Sequence, residues 1–192
     1  MPHDFTEFWN DRFKGIAPAG YELRSHLPER WVRYHSLPDS KRYADDAHDY
    51  EILLKRANTV ATDCLGDGQD CWLAASWYAS AHRREKKRWK RDVQGPFDLQ
   101  PAFKWKHDPA DPEEPQCTVF AGSCAWRPGA YDNLIRQIAD GAHSHVLWVS
   151  PATGTIFAPY DGGADLILPS SDAVDEFKGK YASWLSDHAE GL

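Results

Sequence analysis

Arg30-Trp31-Val32-Arg33-Tyr34-His35-Ser36-Leu37-Pro38-Asp39-Ser40-Lys41-Arg42-Tyr43 is the stretch that decides the class of this chain. Its first half alternates, with Trp31, Arg33 and His35 on one face and Val32 and Tyr34 on the other, the two-residue period of a strand. Leu37-Pro38 stops that strand, and a turn loaded with positive charge follows. Asp45 and Asp46 then stand where an N-cap and first-turn acids favour a helix. Tyr50, Leu53, Leu54, Ala57, Val60, Ala61 and Leu65 recur at helical spacing up to Gly66. The pattern predicts a strand followed by a helix over 46–64.

Working outward, Phe5, Phe8, Trp9 and Phe13 share one face of a short helix over Thr6 to Phe13, which Gly15, Pro18 and Gly20 end. Cys71 to Trp77 is a compact apolar run, the signature of a strand buried on both faces. Residues 94–116 hold Pro96, Pro101, Pro109, Pro112 and Pro115 among acids and read as an extended surface loop. Thr118 to Trp126 resumes strand character, and Leu134, Ile135 and Ile138 stripe a helix over 129–140. Ser144 to Ser150, Thr155 to Ala158 and Ala164 to Leu168 follow as a meander, turning at Pro151-Ala152-Thr153-Gly154 and Tyr160-Asp161-Gly162-Gly163. Ser171 or Asp172 then caps a last helix over 171–187. No repeat or linker divides the chain. The expected fold is a single α+β (or α/β) domain over 1–192, with a mostly antiparallel sheet of about five or six strands and three to four packed helices.

Composition agrees with a packed domain. The 192 residues are 42% hydrophobic and 27% charged, with 9 Trp, 8 Tyr and 8 Phe, and a chain of this length buries roughly 70% of its unfolded surface without staples. The N-terminus carries no basic segment followed by an apolar run, and nowhere do 18 apolar residues run together, so the chain reads as cytoplasmic with no membrane association. Cys64, Cys71, Cys117 and Cys124 read as free buried thiols, since a domain of this size needs no bridges. The formal charge of −7 is uneven: residues 82–91 hold seven of the 22 Lys and Arg and one of the 29 acids, leaving 15 cations against 28 acids, or −13, elsewhere.

Three segments carry a resemblance: Arg33-x-His35-Ser36-Leu37-Pro38-x-Ser40-Lys41-Arg42-Tyr43-Ala44, Leu53-Leu54-Lys55-Arg56-x-Asn58-Thr59, and Tyr160-Asp161-Gly162-Gly163-Ala164-Asp165-Leu166-Ile167. Together they resemble an uncharacterised bacterial family of unknown function, whose Tyr-Asp-x-x-x-Asp-hydrophobic motif is similar to small α/β proteins found near polymorphic toxin loci. The resemblance points to an immunity-protein role, and since that family has no established activity it carries no catalytic residue over to this chain.

The residues themselves offer two sites. Arg33, His35, Lys41 and Arg42 are the residue types that converge on a phosphate or carboxylate, with Asp161 and Asp165 placed to orient His35 as an acid–base set. The competing reading joins these charges in a buried ion-pair network. Arg83, Arg84, Lys86, Lys87, Arg88 and Trp89 form a partner-binding stretch: an acidic protein, or nucleic acid with Trp89 stacked on a base, stands against a merely solvated face. The acidic body disfavours nucleic acid. Ser36 and Ser40 lack nucleophile spacing and cap turns. Cys and His spacings, His143 and His145 included, lack the pattern of a zinc site, and no glycine-rich motif cradles a cofactor, so neither metal nor cofactor is expected. The leading expectation is a non-enzymatic, immunity- or antitoxin-like protein that occludes a protein partner, possibly a toxin. The alternative is an enzyme acting on a phosphorylated or nucleotide substrate through the Arg/His/Asp cluster.

Overall fold

The computed structural model describes residues 4–78, 82–106, 111, 113 and 115–186. Among these residues six α-helices and seven strands follow in the order α1 (Phe5–Phe13), α2 (Gly20–His26), β1 (Trp31–His35), α3 (Ala47–Leu65), β2 (Asp70–Tyr78), α4 (Arg83–Trp89), β3 (Gln100–Trp105), β4 (Cys117–Ala125), α5 (Asp132–Ala139), β5 (Val146–Val149), β6 (Ile156–Tyr160), β7 (Gly163–Ile167) and α6 (Ser171–Lys180). The strands form one antiparallel sheet ordered β1-β7-β6-β5-β2-β4-β3. The architecture is α+β. No helix among the described residues is long and apolar enough to cross a membrane.

Helices cover both faces of the sheet. Val32, Tyr34, Leu73, Trp148, Phe157 and Leu166 pack with α3, α5 and α6. Their strand neighbours Trp72, Ala74, Leu147, Val149, Ile156 and Ile167 pack with α1 and α2. This double coverage explains why β2 reads as a continuous apolar run, whereas β1 at the sheet edge alternates between buried and half-buried residues. Asp46 accepts from the Asp49 amide and starts α3 as its sequence implies. Ser170, one residue before the expected caps, starts α6 by accepting from the Ala173 amide. The last helix ends at Lys180 and passes into a tight turn over Ala182–Trp184, short of the expected 187, which lies outside the described residues.

The strand and helix counts exceed the expected five or six and three to four, for three local reasons. The segment after Gly20 folds as the seven-residue α2, too short for periodicity to reveal. The basic run folds as α4. The stretch 94–116, expected as a loop throughout, contains β3. Among the described residues that strand pairs with β4 alone, at the sheet edge, where Pro101 is tolerated because an edge strand leaves one side of its backbone unpaired. A register shift between Pro101 and Phe103 accompanies it.

Candidate functional site

The charged motifs meet at the β1 end of the sheet. β1 and β7 pair so that Arg33 lies opposite Asp165. Arg33 donates from Nε to Asp165 Oδ1 at 2.8 Å and from Nη2 to Oδ2 at 3.0 Å, and Trp31 Nε1 donates to Oδ1 at 2.9 Å. Asp165 is only 4% exposed, so three donors replace the water its carboxylate would otherwise need. The guanidinium lies over the Tyr160 ring at 4.6 Å and the Trp31 ring at 5.5 Å. Burial works against the Arg33 charge, but hydrogen bonding and attraction from Asp165 outweigh it and hold its pKa above the usual value. Burial pushes the Tyr160 hydroxyl up to about 12. Gly20, at the start of α2, stands where an added Cβ would lie 3.0 Å from Asp165 Oδ2 and 3.5 Å from Ala158 Cβ. Its missing side chain lets α2 close over the pair.

The turn after β1 aims the remaining cations elsewhere. Asp39 and Ser40 adopt φ 55° and 54°, the left-handed conformation that short polar side chains tolerate. Beyond this bend Arg42 bonds Asp161 from both Nε and Nη2 at 2.9 to 3.1 Å, and the Tyr43 hydroxyl donates to Asp161 Oδ2 at 3.2 Å. Lys41 pairs with Asp45 at 2.8 Å and Asp49 at 2.5 Å, and bonding to these two carboxylates raises its pKa. The carbonyl of His35 accepts from Arg56 Nη1 at 3.1 Å, and the residue lines a small cleft with Arg56 and Trp184. The six residues grouped in sequence thus separate into Arg33–Asp165, Arg42–Asp161, Lys41 with Asp45 and Asp49, and His35 beside Arg56. Arg33–Asp165 is buried, whereas Arg42 and the Lys41–Asp45 pair face solvent, so these charges form separate pairs and not the one buried network of the competing reading.

A cavity of about 400 Å³ opens beside the Arg33–Asp165 pair, its walls including Tyr21, His143, His145 and Tyr160. His145 has φ 54° and sits edge-on to Tyr21 and Tyr78 with ring centroids 5.7 and 5.6 Å apart. Burial lowers its pKa. Burial lowers that of His143 too, against the attraction of Asp92, whose Oδ2 lies 3.6 Å from Nε2. The His143–His145 pair was visible in sequence; Tyr21 was not, because nothing marked α2. Tyr21 and Tyr43, 39% and 54% exposed, are the large exposed hydrophobic residues among the described ones. Tyr21 lines the cavity and Tyr43 bonds Asp161 on its rim. Among the described residues no three His, Cys, Asp or Glu side chains meet as a metal site would require.

The second predicted stretch divides between surface and core. Arg83, Arg84, Lys86, Lys87 and Arg88 are exposed on α4. Trp89, expected outside with them, is buried against Trp77 and Phe120, with ring centroids at 5.3 and 4.9 Å. It anchors the helix and presents no face to a base.

A family model described as a domain of unknown function (DUF3885) matches residues 19–189. No curated protein and no solved structure matches the chain.

Proposed function

The chain belongs to the DUF3885 family, and from that premise we propose that it is a non-enzymatic binding protein that occludes a basic protein partner, as an immunity protein occludes a toxin. One observation carries the reading: the exposed Tyr21 lines the cavity beside the Arg33–Asp165 pair, and the exposed Tyr43 bonds Asp161, which lines the same cavity. Tyr and Arg dominate the energetics of protein interfaces, because they bury large areas at low entropic cost while keeping a polar end satisfied. The acidic surface outside residues 82–91 suits steered capture of a basic partner. The enzyme reading fits less well, since Arg33, Lys41 and Arg42 are already matched by carboxylates that a phosphate would have to displace.

The test compares tagged wild type with a Arg42→Ala/Tyr43→Ala variant in capture from lysate of the source organism, followed by calorimetric titration of the purified partner and assay of that partner's own activity. The reading requires one stoichiometric partner, inhibited on binding and bound at least about tenfold more weakly by the folded variant. Turnover of phosphorylated compounds by the wild type, with no protein retained, would transfer the site to the enzyme reading.

A further inference from the structure

α4 crowds like charges together, although Glu85 in its first turn and Lys86, Lys87 and Arg88 in its last suit the helix dipole. Arg83 and Arg84 occupy its first turn, where the positive end of the helix dipole repels cations. Arg83 and Lys87, Arg84 and Arg88, and Lys86 and Lys90 stand four residues apart, so each pair stacks like charges on one face. Among the described residues Arg83, Arg84, Lys86, Lys87 and Lys90 have no carboxylate partner, while Arg91 is matched by Asp92. Glu85, within the helix, uses its carboxylate to accept from the His82 amide at 3.0 Å in a capping box.

The helix nevertheless has two anchors. Trp89 is buried against Trp77 and Phe120, and Val93 is fully buried in the π-helical turn Lys90–Gln94 that continues α4. A rigid mount holding uncompensated charge outward is a preorganised surface for an anion. Arg91 is held by Asp92 and Arg88 donates to the Ala142 carbonyl at 3.2 Å, which leaves Arg83 and Arg84 as the guanidinium forks that bond carboxylates in bidentate fashion.

The shape of that anion follows from the surroundings. A nucleic-acid strand gains from exposed aromatic platforms, and Trp89 offers none. A long polyanion would also extend beyond the patch over a body carrying −13. A short segment is screened from that body, since charge interactions decay over about 8 Å at physiological salt. We infer that the exposed face of α4 is a docking surface for a short Asp/Glu-rich segment of a protein partner. This rests on α4 alone and is separate from the Tyr43 corner.

Fluorescence anisotropy of the full chain with a labelled oligoglutamate peptide, a labelled oligothymidine and a short labelled DNA duplex tests the inference. The peptide should bind at low salt, weaken steeply as salt rises, and lose at least about tenfold in affinity to Arg84→Gln/Lys87→Gln. Arg42→Ala/Tyr43→Ala should leave it unchanged. The Arg84→Gln/Lys87→Gln variant should melt no lower than wild type, because the replaced cations repel one another. Absent peptide binding, equal binding by the variant, tighter binding of either nucleic acid, or a lowered melting point would each overturn the inference.

Discussion

Arg33 and Asp165, 132 residues apart in the chain, face each other across the outermost strand pair and share two parallel hydrogen bonds in a setting where Asp165 is almost wholly buried. The pair closes the sheet edge and forms part of the cavity wall, so it couples the stability of β1 to the shape of the candidate site.

Arg33→Ala leaves a buried carboxylate without its charge partner, and equilibrium urea unfolding should show a loss of about 3–5 kcal/mol. Replacing both, as Arg33→Met/Asp165→Leu, should recover most of that loss, because an apolar pair of similar volume carries no desolvation penalty. A double variant as unstable as the single one would show that the strand needs the ion pair itself.

Gly162 and Gly163 are adjacent but not equivalent. A Cβ on Gly163 would lie 2.1 Å from the Tyr34 carbonyl oxygen on β1, whereas one on Gly162 would meet the Tyr160 ring at 3.1 Å and the flexible Arg42 side chain at 3.4 Å. Gly163→Ala should therefore part β1 from β7 and cost about 1–3 kcal/mol or more, while Gly162→Ala should cost less. Hydrogen exchange at the Ser36 amide, which donates to the Gly162 carbonyl at 3.1 Å, should accelerate strongly in the first variant.

Stability should fall as pH drops through the histidine range. Burial lowers the pKa of His143 and of His145 below the ordinary value near 6.5. Between that value and the lower folded values the unfolded chain binds more protons, so unfolding becomes easier on acidification, by at most about 1.4 kcal/mol per pH unit for each imidazole. Urea midpoints should be level above about pH 7.5 and decline below about 6.5, less steeply in His145→Gln. A midpoint that rises towards pH 5.5 is the contrary result.

The Cys64 and Cys71 thiols should be inert in the folded protein. Burial pushes each up to about 12, which removes the thiolate that reacts. Their alkylation at about pH 8 should proceed at the rate of global unfolding and accelerate in parallel with it in Gly163→Ala. Rapid labelling of either residue under native conditions would falsify this account.

Local pattern specifies the elements whose burial repeats along the chain. The apolar stripe of α3 and the continuous apolar run of β2 are local consequences of period and burial, so they are legible without neighbours. The alternation of β1 likewise marked Arg33 as sharing a face with Trp31. The partners of these charges depend on contacts made across the folded chain. Arg33 has Asp165 and Arg42 has Asp161 because strand register and a left-handed bend at Asp39 and Ser40 direct them, and neither is encoded in spacing along the chain. Trp89 turned inward because the core offered Trp77 and Phe120, although its neighbours in sequence are nearly all charged. Pro101 entered a strand because that strand became an edge. In each case the deciding energy comes from a surface brought near only by folding, which a linear pattern does not contain.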